Sequence, residues 1–577
     1  MTAETEYARW LAADVLTAAE RAELESIRDD DAERESRFGR SLEFGTAGLR
    51  GVMGMGTNRM NLYVIRQATQ AFAESIVDEG KAAMGAAVCY DCRHMSREFA
   101  RAAACVFAAN GIPVRLFEDM RPTPELSFAV REYGCAGGVN ITASHNPKEY
   151  NGYKVYGADG AQLGPEAAAE VKRRMDGIDL FTGPRIADYD EAVRSGLITL
   201  MGAETDEAFL RNVCTLILEP EEVHRAAEEF TVVYTPFHGV GRELVPEALR
   251  RLGLKRIVCE PKQMVPDGDF PTVASPNPEN PEGFYLAKDL AERENADLII
   301  GTDPDSDRVA VMARDKTGAF AALTGNQTGA LLIDYLIGAM GRAGALPERP
   351  VVCKTIVTTE LARAAAEGGG ARCVDTFTGF KFMAAKKNSL EAAGEGKVIF
   401  SFEESIGYMA GDFVRDKDAV TASLLLAEMA VWYHNRGMTL WDGLEALYEK
   451  YGWYGERTVN LMMPGLDGPE RMAALMAGLR AEPPRGIAGT AVRAITDYAD
   501  GTVTELADGV TRQSELSGSD VLRYALEDGT VILVRPSGTE PKIKVYVLAR
   551  GDSEAQRAER IEKYGAWASA LAGNGEK

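Results

Sequence analysis

Short apolar runs alternate with stretches of helical periodicity three times along this chain, and that alternation restricts the fold more than any other feature. AAVCY (86–90) reads as a strand, SREFARAAACVFAANG (96–111) as a helix ending at Gly111, and IPVRLFE (112–118) as the next strand. The pattern returns in TVVYTPF (231–237), LVPEALRRLGL (244–254) and KRIVCE (255–260), continues through ADLIIGTDPDSDRVAVMA (296–313), and recurs around RPVVCKTIV (349–357). Strands separated by helices of ten or more residues form α/β units with largely parallel sheets. Three such blocks predict three related α/β domains with mixed, mainly parallel sheets, although no residue-level repeat links them.

The last block has a different texture. RTVNLMM (457–463), AVRAITDYA (491–499), TVTELADG (502–509), VILVRPSG (531–538) and KIKVYVLA (542–549) predict an α+β domain with a large antiparallel component, closed by a helix from about Ser553 to Leu571. Residues 1 to about 38 read as helical, with Trp10, Leu11, Val15 and Leu16 as an apolar stripe. The expected organisation is a helical extension over 1–40, α/β domains over 41–210, 211–325 and 326–445, and the α+β domain over 446–577. A length of 577 residues and 46 % hydrophobic content supply material for several cores.

Formal net charge is −23, which argues against broad nucleic-acid binding, since that requires a positive field. An anionic ligand would need a locally basic pocket within this acidic surface. No uncharged apolar run is long enough for a bilayer, and no basic patch precedes an apolar run at the start. The cytoplasm is therefore expected, with no membrane partner. The eight cysteines are dispersed. Cys89 and Cys92 form a C-x-x-C pair without a second close pair, so buried reduced thiols fit better than a zinc site.

GTDPDSDR (301–308) directly follows the apolar run ADLII. Asp303, Asp305 and Asp307 alternate within five residues, and carboxylates brought so close repel unless a cation joins them. An all-oxygen set suits magnesium, while the spacing and terminal Glu of an EF-hand are missing. An acidic surface turn is the alternative reading.

In GGVNITASHNPKEYNGYKVY (137–156), Ser144 sits within T-A-S-H-N-P, where His145, Asn146 and Pro147 favour a tight turn that presents a hydroxyl. Ser144 reads either as a nucleophile or as a residue that closes the turn. Lys154 can neutralise an anion nearby. No G-x-S-x-G elbow is present.

Three further segments carry polar groups suited to phosphate or hydroxyls. RPSGTEPK (535–542) offers Arg535, Ser537, Gly538, Thr539 and Lys542, a guanidinium and ammonium around an anion nest that is not a Walker loop. SFEESIGYMAGDFVRDKDAV (401–420) holds Glu403, Glu404 and Ser405, then Arg415 and Lys417. FGTAGLRGVMG (44–54) contains Arg50 among four glycines. TGFK (378–381) is weaker, since Lys381 also suits a helix start. Each segment also fits an ordinary turn.

Together these motifs resemble the α-D-phosphohexomutase superfamily, in its longer phosphoglucomutase and phosphomannomutase-like branch. FGTAGLRG, TASHNP, GTDPDSDR, FEESIGY with RDKD after it, and RPSGTEPK occur in family order, and the resemblance runs from about residue 40 to the end. It implies four domains around a cleft. It implies a phosphoryl-carrying Ser144 that also completes a Mg2+ site with Asp303, Asp305 and Asp307, and Arg308 beside that metal. Glu403 and Ser405 would read sugar hydroxyls. Arg535, Ser537, Gly538, Thr539 and Lys542 would clamp the phosphate that is not transferred. Arg50, Lys154 and Lys417 would lie near the reacting groups, with Lys417 as acid–base catalyst if its pKa is lowered. The implied partners are small sugar phosphates, glucose phosphates first and mannose or pentose phosphates as the alternative. A sugar 1,6-bisphosphate is the implied intermediate and activator, and a monomer or weak homodimer is expected. Ser401 and Phe402 precede Glu403 where many relatives have glycine, so a different local turn is expected there.

Overall fold

The structure, a computed structural model, describes residues 2–45, 48–465, 467–537 and 541–571. Three α/β blocks and a C-terminal antiparallel block follow one another along the chain, each with its own sheet.

The first sheet runs Leu49–Val52, Tyr150–Gly157, Gly137–Ile141, Ala86–Tyr90, Val114–Phe117, Ile198–Met201. The second runs Phe320–Ala322, Val309–Arg314, Leu298–Thr302, Thr231–Thr235, Arg256–Cys259. The third runs Arg372–Thr376, Pro350–Thr355, Lys397–Glu403, Gly407–Ala410. Each has a parallel centre and an antiparallel edge. In each, a strand lying parallel to its inner neighbour ends in a loop, and the chain returns antiparallel on the outer side. The three such pairs are Gly137–Ile141 with Tyr150–Gly157, Leu298–Thr302 with Val309–Arg314, and Lys397–Glu403 with Gly407–Ala410. The repeat that the residues conceal is therefore plain in the topology. It places the loops holding Ser144, Asp303–Asp307 and Glu404–Ser405 at the carboxyl ends of strands, where open α/β sheets bind ligands.

These central strands are apolar because both faces are covered: Ala86–Tyr90, Gly137–Ile141, Thr231–Thr235 and Leu298–Thr302 are buried throughout. The helix Ala419–His434 is apolar on nearly all sides and buried accordingly. It packs against Gly241–Leu252 of the preceding block, and a single apolar core runs through the second and third blocks. The C-terminal sheet is antiparallel, with Trp453–Met462, Lys542–Gly551, Val531–Pro536, Leu522–Leu526 and Thr490–Asp497 in spatial order and the helix Glu554–Ala570 on one face. Its other face meets the third block through Tyr498, Leu533 and Tyr546 against Ile356, Val357 and Phe377. Among the described residues no helix is long and apolar enough to cross a membrane.

Three short helices, Ala3–Leu11, Ala18–Ser26 and Asp31–Phe38, form the N-terminal extension. Trp10 is fully buried against Phe38, Tyr63 and Phe181, with ring centroids 5.9, 5.5 and 5.2 Å away. The expected apolar stripe needs correction at Val15, which is 53 % exposed. The first helix stops at Leu11, so helical spacing does not carry from Trp10 to Val15. Cys89 and Cys92 are free, and the buried Cys89 thiol donates to the Arg121 carbonyl at 3.3 Å. Trp10→Ala is expected to cost about 3–5 kcal/mol by opening a cavity under the extension, read as an earlier denaturant midpoint for the first block. An unchanged midpoint would contradict the packing described.

Candidate active site

The acidic loop is a tight reversal between two antiparallel strands. Asp303 Oδ1 accepts the Asp307 and Arg308 backbone N–H groups at 3.1 and 3.0 Å, and Ser306 takes a left-handed φ of 53° to close the turn. From below, the Val240 N–H donates to the Pro304 carbonyl at 2.9 Å. Gly239 is required at that approach, because a Cβ there would sit 2.4 Å from Pro304 Cα.

All three aspartates are buried, and one oxygen from each lies within 4.8 Å of the others. Asp305 Oδ1 and Asp307 Oδ1 have no hydrogen-bond partner among the described residues. Buried carboxylate oxygens are seldom left so, and a hard divalent cation is the ligand that suits them. The donor set therefore fits such an ion.

Positive groups from other blocks offset the repulsion. Lys154 Nζ, on the return strand of the first block, donates to Asp305 Oδ2 at 2.7 Å and Asp307 Oδ2 at 3.2 Å. Lys417 Nζ, just before the helix Ala419–His434, lies 3.2 Å from Asp307 Oδ2 and 3.3 Å from Asp416 Oδ1. Arg308 Nε lies 3.9 Å from Asp307 Oδ1. Thr123 Oγ1 donates to Asp305 Oδ2 at 2.8 Å. Burial raises the Asp303 carboxyl well above the usual range, and Asp305 and Asp307 add to the rise. Burial works the same way on Asp305, but Lys154 outweighs it and holds that carboxyl below its ordinary value.

Ser144 reaches this cluster from the first block. Its Oγ donates to Asp303 Oδ2 at 2.7 Å and lies 3.1 Å from His145 Nδ1. Its N–H donates to Thr142 Oγ1 at 2.8 Å, and its φ of 51° is left-handed, a conformation that costs a non-glycine residue about 1–2 kcal/mol. Strain of this kind persists only where the surroundings enforce it. Burial, together with Arg308 and Arg50, holds the His145 imidazole well below its ordinary pKa, so it is neutral at pH 7. Arg50 Nη1 donates to Asn146 Oδ1 at 2.9 Å, tying its strand to the same loop. Gly48 lets that strand approach, since a Cβ there would lie 1.9 Å from the Tyr153 carbonyl oxygen.

Lys417 requires a correction. Burial tends to lower its pKa, but Asp307, Asp416 and Glu403 prevail and raise it well above the ordinary value. It is a held ammonium, not a lysine with a lowered pKa. Arg415 also differs from the expectation of a ligand contact. Its guanidinium donates to Asn388 Oδ1 and to the Asp412 and Val414 carbonyls, and so joins loops together.

Glu403 ends its strand and accepts the Gly379 N–H at 2.5 Å. Burial, opposed by Lys417, pushes its carboxyl up to about 7. Glu404 Oε2 accepts from Thr358 Oγ1 at 3.1 Å, and Ser405 is half-buried beside it. Ser401 lies within the strand, paired with Cys353, and so does not shape the turn as the sequence had suggested. Lys381 is the second residue of the helix Phe380–Ala392, in keeping with its helix-start reading.

In the C-terminal sheet Arg535 pairs with Lys544, and the Ser537 N–H donates to the Lys542 carbonyl at 2.9 Å. Gly538 and Thr539 lie outside the described residues. Burial and then Lys542 lower the Lys544 pKa, while Glu404 of the third block acts in the opposite direction, so this basic strand faces the Glu403–Ser405 turn. Sequence reasoning passed over Lys544, although the alternation of KIK put it on one strand face with Lys542. It also passed over Thr123 and Asp416. Asp416 accepts from Tyr156 Oη and Gln162 Nε2, both at 2.8 Å, and no local spacing marks such long-range contacts.

Comparison with known proteins agrees with this arrangement. Family models described as phosphoglucomutase/phosphomannomutase match in sequence: α/β/α domain I at 41–181, domain II at 208–318, domain III at 324–451 and the C-terminal domain at 482–562. The phosphoglucomutase of Staphylococcus aureus strain N315 is 36 % identical over 526 residues, 90 % of this chain and 92 % of that protein. That of Staphylococcus epidermidis is 36 % identical over 529 residues, 92 % and 94 % of the two chains. Among solved structures, a phosphoglucomutase/phosphomannomutase family protein from Burkholderia thailandensis superposes with a TM-score of 0.66 at 19 % identity, covering 92 % of this chain and 98 % of that one. The open form of parafusin from Paramecium also gives 0.66 at 19 % identity, covering 92 % and 96 %. With four family domains matched in order around a buried acidic loop and its neighbouring serine, this chain belongs to the phosphoglucomutase/phosphomannomutase family, within the α-D-phosphohexomutase superfamily.

Proposed function

We propose that this enzyme is a phosphoglucomutase, interconverting glucose 1-phosphate and glucose 6-phosphate through phosphorylated Ser144 and glucose 1,6-bisphosphate. The observation that carries the reading is the 2.7 Å contact between Ser144 Oγ and Asp303 Oδ2, which joins the nucleophile loop to the acidic loop. The staphylococcal relatives are phosphoglucomutases, which favours glucose.

Asp303, Asp305 and Asp307 would hold Mg2+, with Ser144 completing the set, and the ion would supply neutralisation of charge on a phosphoryl oxygen. The protein's own residues do the rest. Lys154, Lys417 and Arg308 provide fixed positive charge for a transferring phosphoryl group, and Arg50 approaches from the edge of the Ser144 loop. His145 Nδ1, neutral and 3.1 Å from Ser144 Oγ, can exchange a proton with that oxygen. Glu403 and Ser405 read sugar hydroxyls, while Arg535, Ser537, Gly538, Thr539 and Lys542 grip the far phosphate. The bisphosphate must turn over between half-reactions, so the clamp accepts two orientations of one sugar. Holding it on a separate domain allows it to open and close over the cleft. The same reading places the enzyme in the cytoplasm as a monomer or weak homodimer acting on small sugar phosphates, with no nucleic-acid or membrane partner.

Turnover of glucose, mannose and ribose 1-phosphates under one condition tests the substrate, with glucose expected to lead; a large preference for ribose or mannose would overturn that choice. Ser144→Ala should lower mutase turnover about 10³-fold or more. Asp305→Asn should weaken Mg2+ affinity at least about tenfold, measured by titration calorimetry, and unchanged affinity would remove the metal site. Since burial places Glu403 at about 7, its carboxylate forms as pH rises through neutrality. kcat/KM should therefore climb through about pH 7, and Glu403→Gln should lose that limb while keeping the substrate phosphate's own ionisation near about pH 6. An unaltered profile would contradict the ionised role.

A further inference from the structure

The left-handed backbone at Ser144 has an identifiable cause outside its own loop. Arg93, with its side chain fully buried, extends its guanidinium into the concave side of residues 144–150. Nη2 donates to the Ser144 carbonyl at 2.6 Å and the Asn146 carbonyl at 2.5 Å. Nη1 donates to the Pro147 carbonyl at 2.9 Å and the Tyr150 carbonyl at 3.0 Å. Nε faces Asp91 Oδ2 at 3.4 Å. Four guanidinium hydrogen bonds are thus directed at carbonyls of the nucleophile loop, while Nε and Asp91 Oδ2 form an ion pair without a hydrogen bond among the described residues.

Asp91 is itself fixed. Its Oδ1 accepts the Arg93 N–H at 2.9 Å and the Ser96 hydroxyl at 2.8 Å. On its open face the guanidinium meets the Phe270 ring at 5.1 Å, contributed by the block that carries the acidic loop. The neighbouring Asp269 lies 3.2 Å from Lys148 Nζ and 3.3 Å from His94 Nε2. The second block therefore latches onto the Ser144 loop through the same segment that covers Arg93.

We infer that Arg93 is a positioning residue for the phosphoryl-carrying serine: by collecting the carbonyls of residues 144, 146, 147 and 150 it turns the Ser144 backbone left-handed and aims its Oγ at Asp303. The inference rests on the phosphoserine reading above. Arg93 touches neither Ser144 Oγ nor the three aspartates through any contact described, so it acts through the backbone alone. Lysine cannot substitute. An ammonium has three N–H groups and no planar fork, so at least one of the four carbonyls would lose its donor.

The test is a rapid-quench measurement of phosphoryl transfer from glucose 1,6-bisphosphate to dephosphorylated Ser144, alongside a crystal structure of Arg93→Lys. Because misplacing a reacting atom by an ångström can cost about 10²-fold, Arg93→Lys should slow transfer to that extent. KM for the sugar phosphate should change less than about threefold, as the sugar-reading groups lie elsewhere in the fold, and affinity for Mg2+ should fall by much less than the transfer rate, because the three aspartates keep their places. The crystal should show residue 144 out of the left-handed region. Asp91→Asn, which loosens the clamp from outside the loop, should slow the same step more mildly and provides the test should Arg93→Lys not fold. Transfer at the wild-type rate in the variants that fold, or a loss of rate matched by an equal loss of Mg2+ affinity, would overturn the inference. A wild-type protein that takes up no phosphate would instead refute the mutase reading, and the conformation of residue 144 in the variant crystal would still decide what Arg93 does.

Discussion

Three carboxylates buried in one short loop repel one another, and the assembly of this protein follows from relieving that repulsion. Asp303, Asp305 and Asp307 cannot be neutralised by their own loop, which supplies backbone N–H groups and Arg308 but no close ammonium. The missing charge arrives from elsewhere, Lys154 from the first block and Lys417 from the third. Leaving any of these charges buried without its partner costs about 3–5 kcal/mol. The interaction therefore ties three sheets to one point, and a polar centre helps to determine how apolar blocks meet.

The topology makes this economical. In each α/β block a parallel strand ends in the functional loop and the chain returns antiparallel beside it. The return strand begins close to the loop, so it can deliver a side chain back toward it. Lys154 does so in the first block. In the third, the chain passes from its return strand Gly407–Ala410 to Lys417 and then to the helix Ala419–His434. That helix is buried in the core shared by the second and third blocks, which fixes the position of Lys417 at its entrance.

Much of this was legible in the residues. AAVCY and the helix after it read directly, because strands covered on both faces are short and continuously apolar. The acidic triplet stood out because carboxylates at alternate positions after an apolar strand have few structural uses. Contacts across the chain were hidden. Thr123 lies 182 positions from Asp305, and Tyr156 lies 260 from Asp416, separations that no spacing rule detects. Lys417 was read with a lowered pKa because burial alone would lower it; Asp416 adjoins it in the sequence, but only the fold brings Asp307 and Glu403 beside it. Val15 was misplaced because the periodicity was carried through a helix end. The threefold repeat escaped residue comparison because it is a repeat of connection, not of sequence.

The central claim is that the hydroxyl beside the acidic loop carries the phosphoryl group. Peptide mapping by mass spectrometry, on the purified protein before and after brief exposure to glucose 1-phosphate, addresses it most directly. The account predicts one phosphoryl group on the peptide containing Ser144, lost when sugar phosphate and Mg2+ are supplied. Turnover of sugar phosphates with that peptide unmodified throughout, or with the phosphoryl group on another residue, would contradict it.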